Sequence, residues 1–330
     1  MLDGKTVLVT GGTGSFGRNF IRRILKDYNP AKVIVYSRDE YKQYLMQREL
    51  QGLDGRLRFF IGDVRDRERL YRAFVGVDVV VHAAALKHVP LMEYNPIEAI
   101  KTNIHGAINV IDAALDRGVE RVIALSTDKA VNPVNLYGAT KLVSDKLFVA
   151  ANAYAGKGRT RFAVVRYGNV AGSRGSVIPF FMKLVKEGKR ELPITDFRMT
   201  RFWITLDEGV NLVLRALSEA QGGEIYVAKI PSFKVVDLAK AICPECSLRE
   251  VGIREGEKLH EVMISEEDAR TTYEYEDHFI IYPQFRWWNF EVKPGGRRVP
   301  EGFRYSSDRN NRWLGVEDLR RLISEIEVVY

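Results

Sequence analysis

A tyrosine and a lysine four residues apart, Tyr137 and Lys141, stand at the start of a stretch with a helical pattern. Residues at this spacing lie on one face of a helix, so their polar groups can act together. The charge of the lysine favours a phenolate and lowers the pKa of the tyrosine toward the range of a general base. Just before them, the segment Leu125-Ser-Thr-Asp-Lys129 ends a predicted strand. The spacing therefore predicts a proton-transfer site between a strand end and the helix that follows.

A glycine-rich turn lies directly after the first predicted strand and opens the first predicted helix. The segment Gly11-Gly-Thr-Gly-Ser-Phe-Gly17 satisfies Gly-x-Gly-x-x-Gly read from Gly12 and Gly-x-x-Gly-x-x-Gly read from Gly11. Glycines permit the tight turn and the close approach of a pyrophosphate, which the free amides and the positive end of the helix dipole would bind. We therefore expect a nicotinamide dinucleotide at Gly11, Thr13, Gly14, Ser15, Phe16 and Gly17.

The end of the second predicted strand bears on which nicotinamide cofactor binds. An NAD enzyme places an acidic residue here against the ribose 2′-hydroxyl, whereas this chain has Ser37 and Arg38, which suit a 2′-phosphate. Asp39 keeps NAD as the alternative, and Arg38 could instead be a solvated loop charge. We expect NADP, with Asp63 near the adenine. The expected cofactor site also includes Val64, Ala83, Tyr137 and Lys141.

The elements that must position these residues form an alternating pattern. From residue 5 to about 170, short runs rich in Val, Ile and Ala alternate with longer amphipathic stretches, as in a parallel sheet with crossover helices. The fold class is therefore predicted as α/β, a doubly wound parallel sheet of the Rossmann type with a smaller C-terminal lobe. The predicted strands are Val7–Thr10, Lys32–Tyr36, Leu57–Ile61, Val79–Ala83, Val122–Ser126 and Phe162–Arg166, and the predicted helices include Ser15–Asp27 and Ala107–Arg117.

The chain is predicted to divide into two parts. The cofactor-binding domain comprises residues 1–170 together with residues 205–229. The second of these segments holds a helix near Leu206–Leu217 and a strand-like stretch. The second lobe takes residues 171–204 and 230–330 and ends in a helix over Val316–Glu325.

Composition limits the possible partners. The net charge of +7 comes from basic residues scattered among 43 acidic ones, so we expect a pocket for a phosphorylated small molecule and no nucleic acid. No apolar run approaches the roughly 18 residues of a membrane span, and no leader precedes the first strand, so we expect no membrane association.

Metal and disulfide chemistry are not expected either. The five histidines form no metal-ligand pattern. Cys243 and Cys246 have the spacing of a redox motif but no partner pair elsewhere, so they are expected to be structural or incidental rather than zinc-binding or disulfide-bonded. So few cysteines indicate a reducing compartment, and we expect a cytoplasmic protein.

Taken together, these motifs resemble the extended short-chain dehydrogenases/reductases. The segments Ala83–Pro90, Ser126–Pro133, Arg166–Val170 and Met199–Thr205 look like those of the inverting UDP-N-acetylglucosamine 4,6-dehydratases of pseudaminic acid biosynthesis. The resemblance covers most of residues 5–265. The tail from Gln284-Phe-Arg-Trp-Trp288 onward is not matched motif by motif, although Tyr305–Asn310 within it resembles the last stretch of the family.

The resemblance implies a reaction and roles for the residues. NADP would take a hydride from C4 of the sugar while Tyr137 removes the O4 proton, which makes the C5 proton acidic. Lys129 would abstract that proton, Asp128 would protonate the departing C6 hydroxyl, and Thr127 would hydrogen-bond O4. The hydride then returns to C6, so no net oxidation occurs.

Lys129 can act as a base near neutral pH only if its pKa falls. We expect burial or nearby cations, with Lys141 and Lys87 as candidates, to lower it. The alternative is that Asp128 and Lys129 form an exposed salt-bridged pair in a loop.

The resemblance also implies the substrate contacts, which the second lobe would largely provide. Lys87 and Asn169 would hold sugar and phosphate, and Val170 would line the pocket. The residues expected around the UDP are Thr195, Met199, Arg201, Arg254 and Glu257. Arginine suits a diphosphate because its planar fork makes paired, charge-assisted hydrogen bonds. The run from Arg254 to Glu261 could instead be a solvated charge cluster.

Three other functions remain open. A retaining dehydratase or a UDP-sugar 4-epimerase would share the fold, and the epimerase would use Tyr137 and Lys141 without the acid and base of Asp128 and Lys129. A dinucleotide-sensing protein would keep only the glycine turn. Proteins of this fold commonly pair through a helix bundle, so the resemblance implies a homo-oligomer.

Overall fold

The computed structural model describes residues 1–52, 54–156, 158, 160–172, 176–285 and 291–326. Part of the unmatched tail, residues 286–290, lies outside this range. The strands are β1 (Thr6–Thr10), β2 (Lys32–Ser37), β3 (Leu57–Ile61), β4 (Val79–His82), β5 (Arg121–Thr127), β6 (Arg161–Tyr167), β7 (Glu191–Ile194), β8 (Thr200–Phe202), β9 (Ile225–Ala228), β10 (Ser232–Lys234), β11 (Ser247–Glu250), β12 (Val262–Ile264), β13 (Thr272–Glu274), β14 (His278–Ile281), β15 (Arg297–Arg298) and β16 (Tyr305–Ser306).

The helices connect these strands. They are α1 (Ser15–Asp27), α2 (Glu40–Glu49), α3 (Arg67–Ala73), α4 (Val89–Tyr94), α5 (Pro96–Ile100), α6 (Gly106–Arg117), α7 (Leu136–Ala155), α8 (Val177–Lys186), α9 (Leu206–Glu219), α10 (Val235–Ile242), α11 (Glu266–Ala269) and α12 (Val316–Glu325). A π-helical turn covers Lys101–His105, and short 3₁₀ turns cover Asp54–Arg56 and Asp128–Ala130. The predicted bounds of α1 and α12 are confirmed, and the six predicted strands differ from β1–β6 by at most one residue at each end.

The main sheet has the order β15-β13-β14-β9-β6-β5-β4-β1-β2-β3. The seven strands from β9 to β3 in this order run parallel, which confirms the predicted α/β fold. The chain passes outward through β2 and β3 and then crosses back to β4 beside β1. Ligands of such sheets bind at the carboxyl ends of the strands where the order reverses, which here lies between β1 and β4.

The second lobe differs from its expected extent. Strands β13, β14 and β15 join the main sheet, since β14 pairs antiparallel with β9 and thereby satisfies the backbone groups that would otherwise form a sheet edge. A separate apolar core forms where α8, β7, α10 and α12 meet, around Phe181, Leu192, Leu238 and Leu319. Part of the 230–330 stretch thus packs with the cofactor-binding sheet.

The expectation for the two cysteines was wrong. Cys243 and Cys246 form a disulfide, with their Cα atoms 5.4 Å apart. The reason is local, because α10 ends at Ile242 and a tight turn follows in which the amide of Cys246 donates to the carbonyl oxygen of Cys243. That turn brings the two side chains within bridging distance without help from a distant segment. Both cysteines are buried in the second core.

The described residues contain neither a membrane-spanning helix nor a metal-binding cluster. No helix among them is both long enough and apolar enough to span a membrane. They also hold no group of three or more His, Cys, Asp or Glu side chains that could bind a metal ion.

Candidate active site

The glycine turn forms a cradle beside the end of β4. Gly11 has φ +66°, and a Cβ there would lie 2.9 Å from the amide nitrogen of Ala84 and 3.0 Å from the carbonyl carbon of Ala83. Within the described chain, Gly14 caps α1 without a side-chain hydrogen bond, and the first turn of α1 has no acidic residue. The amides and the positive end of the helix dipole are therefore available to an anion, and the cradle fits the pyrophosphate of a dinucleotide.

The three polar residues at the end of β2 make different contacts. The carboxylate of Asp39 caps α2 by accepting from the amide of Lys42 at 2.9 Å, and it also pairs with the ammonium of Lys42 at 2.8 Å. Ser37 is buried, whereas Arg38 is half exposed and lies 3.5 Å from the Asp63 carboxylate. Asp39 is thus engaged within its own helix, whereas the hydroxyl of Ser37 accepts from Gln43 Nε2 at 3.0 Å and Arg38 lies beside Asp63.

Asp128 and Lys129 form a buried pair at the end of β5. Lys129 Nζ donates to Asp128 Oδ1 at 3.1 Å and to Asn169 Oδ1 at 3.0 Å. The hydroxyl of Thr127 donates to the same Asp128 oxygen at 2.9 Å. The side chain of Asp128 is only 1% exposed and that of Lys129 only 19%. The alternative of an exposed loop pair is therefore wrong.

The environment of Lys129 also differs from the expected one. Burial favours the neutral amine, but the carboxylates of Asp128 and Glu261 outweigh it and hold the pKa of Lys129 above its ordinary value. Arg201, rather than the expected Lys87 or Lys141, is the cation that lowers it. In this structure Lys129 is an ammonium in an ion pair, and a proton must leave it before it can act as a base.

Helix α7 is seated directly against this pair. Asn135 caps the helix by accepting from the amide of Gly138 at 2.8 Å. A Cβ on Gly138 would overlap the carbonyl oxygen of Lys129, so only glycine lets the helix start this close. This contact explains why Tyr137 is followed by glycine, and it brings the phenol beside the Asp128–Lys129 pair.

Tyr137 and Lys141 lie on the same helix, but Lys141 does not have the expected effect on the pKa of Tyr137. Lys141 is buried, and its Nζ donates to the carbonyl oxygen of Leu125 at 2.7 Å. Burial raises the pKa of Tyr137 to about 12, opposed by the charge of Lys129 and by a hydrogen bond with Thr127. The expected lowering by Lys141 is therefore not found here, and Lys129 is the cation that acts on the phenol.

Sequence reasoning missed a buried charge network behind Lys141. The carboxylate of Asp145 accepts from the hydroxyl of Ser126 at 2.6 Å and lies 3.5 Å from the guanidinium of Arg166. Arg166 also pairs with Asp268 at 3.1 Å. The signals were Lys141 and Asp145 at helical spacing, and Arg166 directly after the apolar run Phe162–Val165 of β6.

Sequence reasoning also missed two residues at the end of the Arg254–Glu261 run. Glu261 is 2% exposed and lies 3.3 Å from Lys129 Nζ and 3.6 Å from Arg201 Nε. Lys258 donates to the carbonyl oxygen of Val131. Only the start of the run is exposed, where Arg254 pairs weakly with Glu257 at 4.0 Å. The alternative of a wholly solvated cluster is therefore wrong.

The remaining substrate residues lie in different settings. Asn169 reaches Lys129, and Val170 bridges to Ile204 beside it. Met199 is buried in the second core, Thr195 is half-buried after β7, and Lys87 is exposed after β4. Their contacts with a nucleotide stay predictions.

Comparison with known proteins places this geometry in a family. The family model described as polysaccharide biosynthesis protein matches residues 7–283. An inverting UDP-N-acetylglucosamine 4,6-dehydratase of Campylobacter jejuni is 55% identical, with 99% of each chain covered. A UDP-glucose 4-epimerase of Rickettsia akari is 41% identical, with 100% of this chain and 98% of the relative covered.

Solved structures agree on the fold. The X-ray structure of Pen from Bacillus thuringiensis has a TM-score of 0.92 and 37% identity over 100% of both chains. DesIV from Streptomyces venezuelae, a dTDP-glucose 4,6-dehydratase with NAD and TYD bound, has a TM-score of 0.69 and 28% identity, covering 77% of this chain and 86% of its own. The chain therefore belongs to the polysaccharide biosynthesis protein family and, within it, to the family of the inverting UDP-N-acetylglucosamine 4,6-dehydratases.

Proposed function

We propose that this protein is an NADP-dependent UDP-N-acetylglucosamine 4,6-dehydratase that inverts C5. The product is UDP-2-acetamido-2,6-dideoxy-β-L-arabino-hex-4-ulose, and the reaction is the first step of pseudaminic acid biosynthesis. The observation that carries the proposal is the buried Asp128–Lys129 pair against Tyr137 and Thr127. Besides a hydride acceptor, an oxidation at C4 needs only the phenol, whereas the loss of water also needs an acid and a base.

The side chains can divide the reaction between them. Bound NADP would supply the hydride acceptor for C4 and the hydride donor for C6. Tyr137 takes the O4 proton, with Thr127 holding that oxygen. Lys129 removes the C5 proton, and Asp128 protonates the C6 hydroxyl as it leaves. Moving one proton from Lys129 to Asp128 across their 3.1 Å contact creates both the base and the acid.

The direct test is incubation of the purified protein with UDP-N-acetylglucosamine, followed by mass spectrometry. Loss of one water supports a dehydratase. An isomer of unchanged mass would indicate a 4-epimerase, the second candidate, which the similarity to the Rickettsia enzyme favours. An unchanged substrate would contradict both proposals and leave a dinucleotide-binding role.

Arg38→Asp should change the cofactor preference. Ser37 and Arg38 support NADP because Asp39, the residue that would favour NAD, is engaged in capping α2. A carboxylate at position 38 would repel a 2′-phosphate, so we expect NADP affinity to fall by about tenfold or more, with NAD affinity changing far less. Titration of each cofactor by calorimetry measures the two dissociation constants. An equal loss for both cofactors would contradict the assignment.

Arg254→Ala should weaken binding of the UDP group. Arg254 is 61% exposed and its one ion pair in the described chain, with Glu257, is long, so its guanidinium is available to a diphosphate. Loss of charge-assisted hydrogen bonds predicts a dissociation constant for UDP that is about tenfold higher, with the turnover number largely kept. Arg249→Ala, an equally exposed arginine on β11, is the matched control. Unchanged UDP affinity in Arg254→Ala would remove this residue from the binding site.

The expected homo-oligomer also has support. Leu91, Tyr94 and Ile97 expose 64%, 88% and 60% of their surfaces on α4 and α5. These helices pack beside α7, so the apolar patch lies next to the helix that carries Tyr137. Patches of this kind on globular proteins mark interaction sites, and we propose that a second copy of this chain covers it. We also propose that the enzyme acts in the cytoplasm, where UDP-sugars serve as biosynthetic substrates.

A further inference from the structure

Glu261 is a buried carboxylate to which the proposed reaction gives no task. It directly precedes β12, and its backbone is fixed from both sides by Ser307. The amide of Glu261 donates to the Ser307 hydroxyl at 2.9 Å, and the amide of Ser307 donates to the Glu261 carbonyl oxygen at 2.8 Å. The backbone that carries this carboxylate is therefore fixed by Ser307, which directly follows β16.

The two oxygens of this carboxylate have different surroundings. Oε1 lies 3.3 Å from Lys129 Nζ and 3.6 Å from Arg201 Nε. Oε2 is buried and has no hydrogen-bond partner among the described residues. Burial of a carboxylate oxygen without a partner costs stability, so its presence here points to a role at the site.

Two carboxylates thus share one lysine, because Asp128 also contacts Lys129. Like charges this close favour a proton on one of them. Arg201 Nε lies 3.6 Å from Glu261 Oε1, and Lys258 interacts more strongly with Glu261 than with Asp128. The geometry therefore separates the two carboxylates into one that stays ionised and one that can carry a proton.

We propose that Glu261 is a positioning residue of the dehydration centre. Its ionised carboxylate holds Lys129 and lets Asp128 carry the proton that the departing C6 hydroxyl receives. This inference rests on the proposed dehydratase function and adds a third ionisable member to its acid–base pair.

The pKa directions agree with this division. Burial opposes ionisation of Glu261, but Lys129, Arg201 and Lys258 outweigh it and hold its pKa below the ordinary value. Burial and the charge of Glu261 raise the pKa of Asp128, opposed by Lys129 and Thr127. The charged or titratable groups that act on Lys129 are Asp128, Glu261, Arg201, Tyr137 and Lys258.

Glu261→Gln should shift the pH dependence of water loss. The charge of Glu261 raises the pKa of both Asp128 and Lys129, so its removal lowers both. The rate rises as the base loses its proton and falls as the acid loses its own, so both limbs of the profile should move by about one unit toward lower pH. Single-turnover water loss from UDP-N-acetylglucosamine, followed by mass spectrometry across the pH range, measures the two midpoints.

The comparison variants distinguish an effect of the Glu261 charge from a structural effect of the substitution. Glu261→Asp keeps the charge and should keep the wild-type midpoints, and Glu255→Gln removes an exposed carboxylate of the same run and should change nothing. A lower rate in Glu261→Gln with unmoved midpoints would overturn the proposal, since it would show a structural role alone. If Glu261→Gln is inactive at every pH, wild-type midpoints in Glu261→Asp support the proposal and an inactive Glu261→Asp overturns it. Absence of water loss in the wild-type enzyme would instead contradict the dehydratase assignment itself.

Discussion

Lys129→Ala should abolish the loss of water while the cofactor and the UDP-sugar still bind. The variant removes the proposed C5 base, and general-base catalysis contributes about 10²- to 10⁴-fold, so we expect turnover to fall by about that factor. Binding should persist because the glycine cradle and Arg254 lie apart from the Asp128–Lys129 pair. Mass spectrometry of the product and calorimetry of both ligands measure the two effects.

Two further variants serve as a parallel test and as a control for Lys129→Ala. Asp128→Asn should show the same separation, since it removes the acid and keeps the shape of the side chain. Lys146→Ala, an exposed lysine on α7, should retain full activity. Because Lys129→Ala removes the lysine that pairs with the buried carboxylates of Asp128 and Glu261, thermal unfolding must show that the variant is folded. Full dehydratase activity in folded Lys129→Ala would remove the proposed base.

The initial product should have the L-arabino configuration at C5. The resemblance implies that retaining relatives carry Glu after the Asp, or Met in place of the tyrosine, whereas this chain has Lys129 and keeps Tyr137. Lys129 can remove the C5 proton from one face, and Tyr137, protonated in the first step, can return a proton from the other. Reaction in deuterium oxide should therefore place solvent deuterium at C5. Proton coupling constants recorded early, before slow epimerisation, identify the configuration.

The opposite stereochemical result would be equally informative. A first product with the D-xylo configuration would contradict inversion while leaving the loss of water intact. It would mean that the proton returns on the face from which it was taken, and Tyr137 would then have no part in the last step.

The parts of the site that follow from local rules were predictable from the sequence. The glycine turn, the Tyr137–Lys141 pair and the strand-end Asp128–Lys129 pair each depend on short spacing within one element. Glu261 was not predictable in this way, because its contact with Lys129 joins segments far apart in the chain. The direction of the Lys129 pKa was mispredicted because two carboxylates, that of the adjacent Asp128 and then that of the distant Glu261, outweigh burial. The disulfide was missed although it is local, because composition argued against it.

The anchoring of Glu261 by Ser307 sets an order of events during synthesis. The elements that form the dinucleotide cradle, from β1 to the start of α7, leave the ribosome within the first half of the chain, and domains fold from the N-terminus as they emerge. The acid–base centre lacks its third member until β16 and Ser307 have been made and β12 has paired with them. A nascent chain can therefore acquire its redox cofactor well before it can eliminate water.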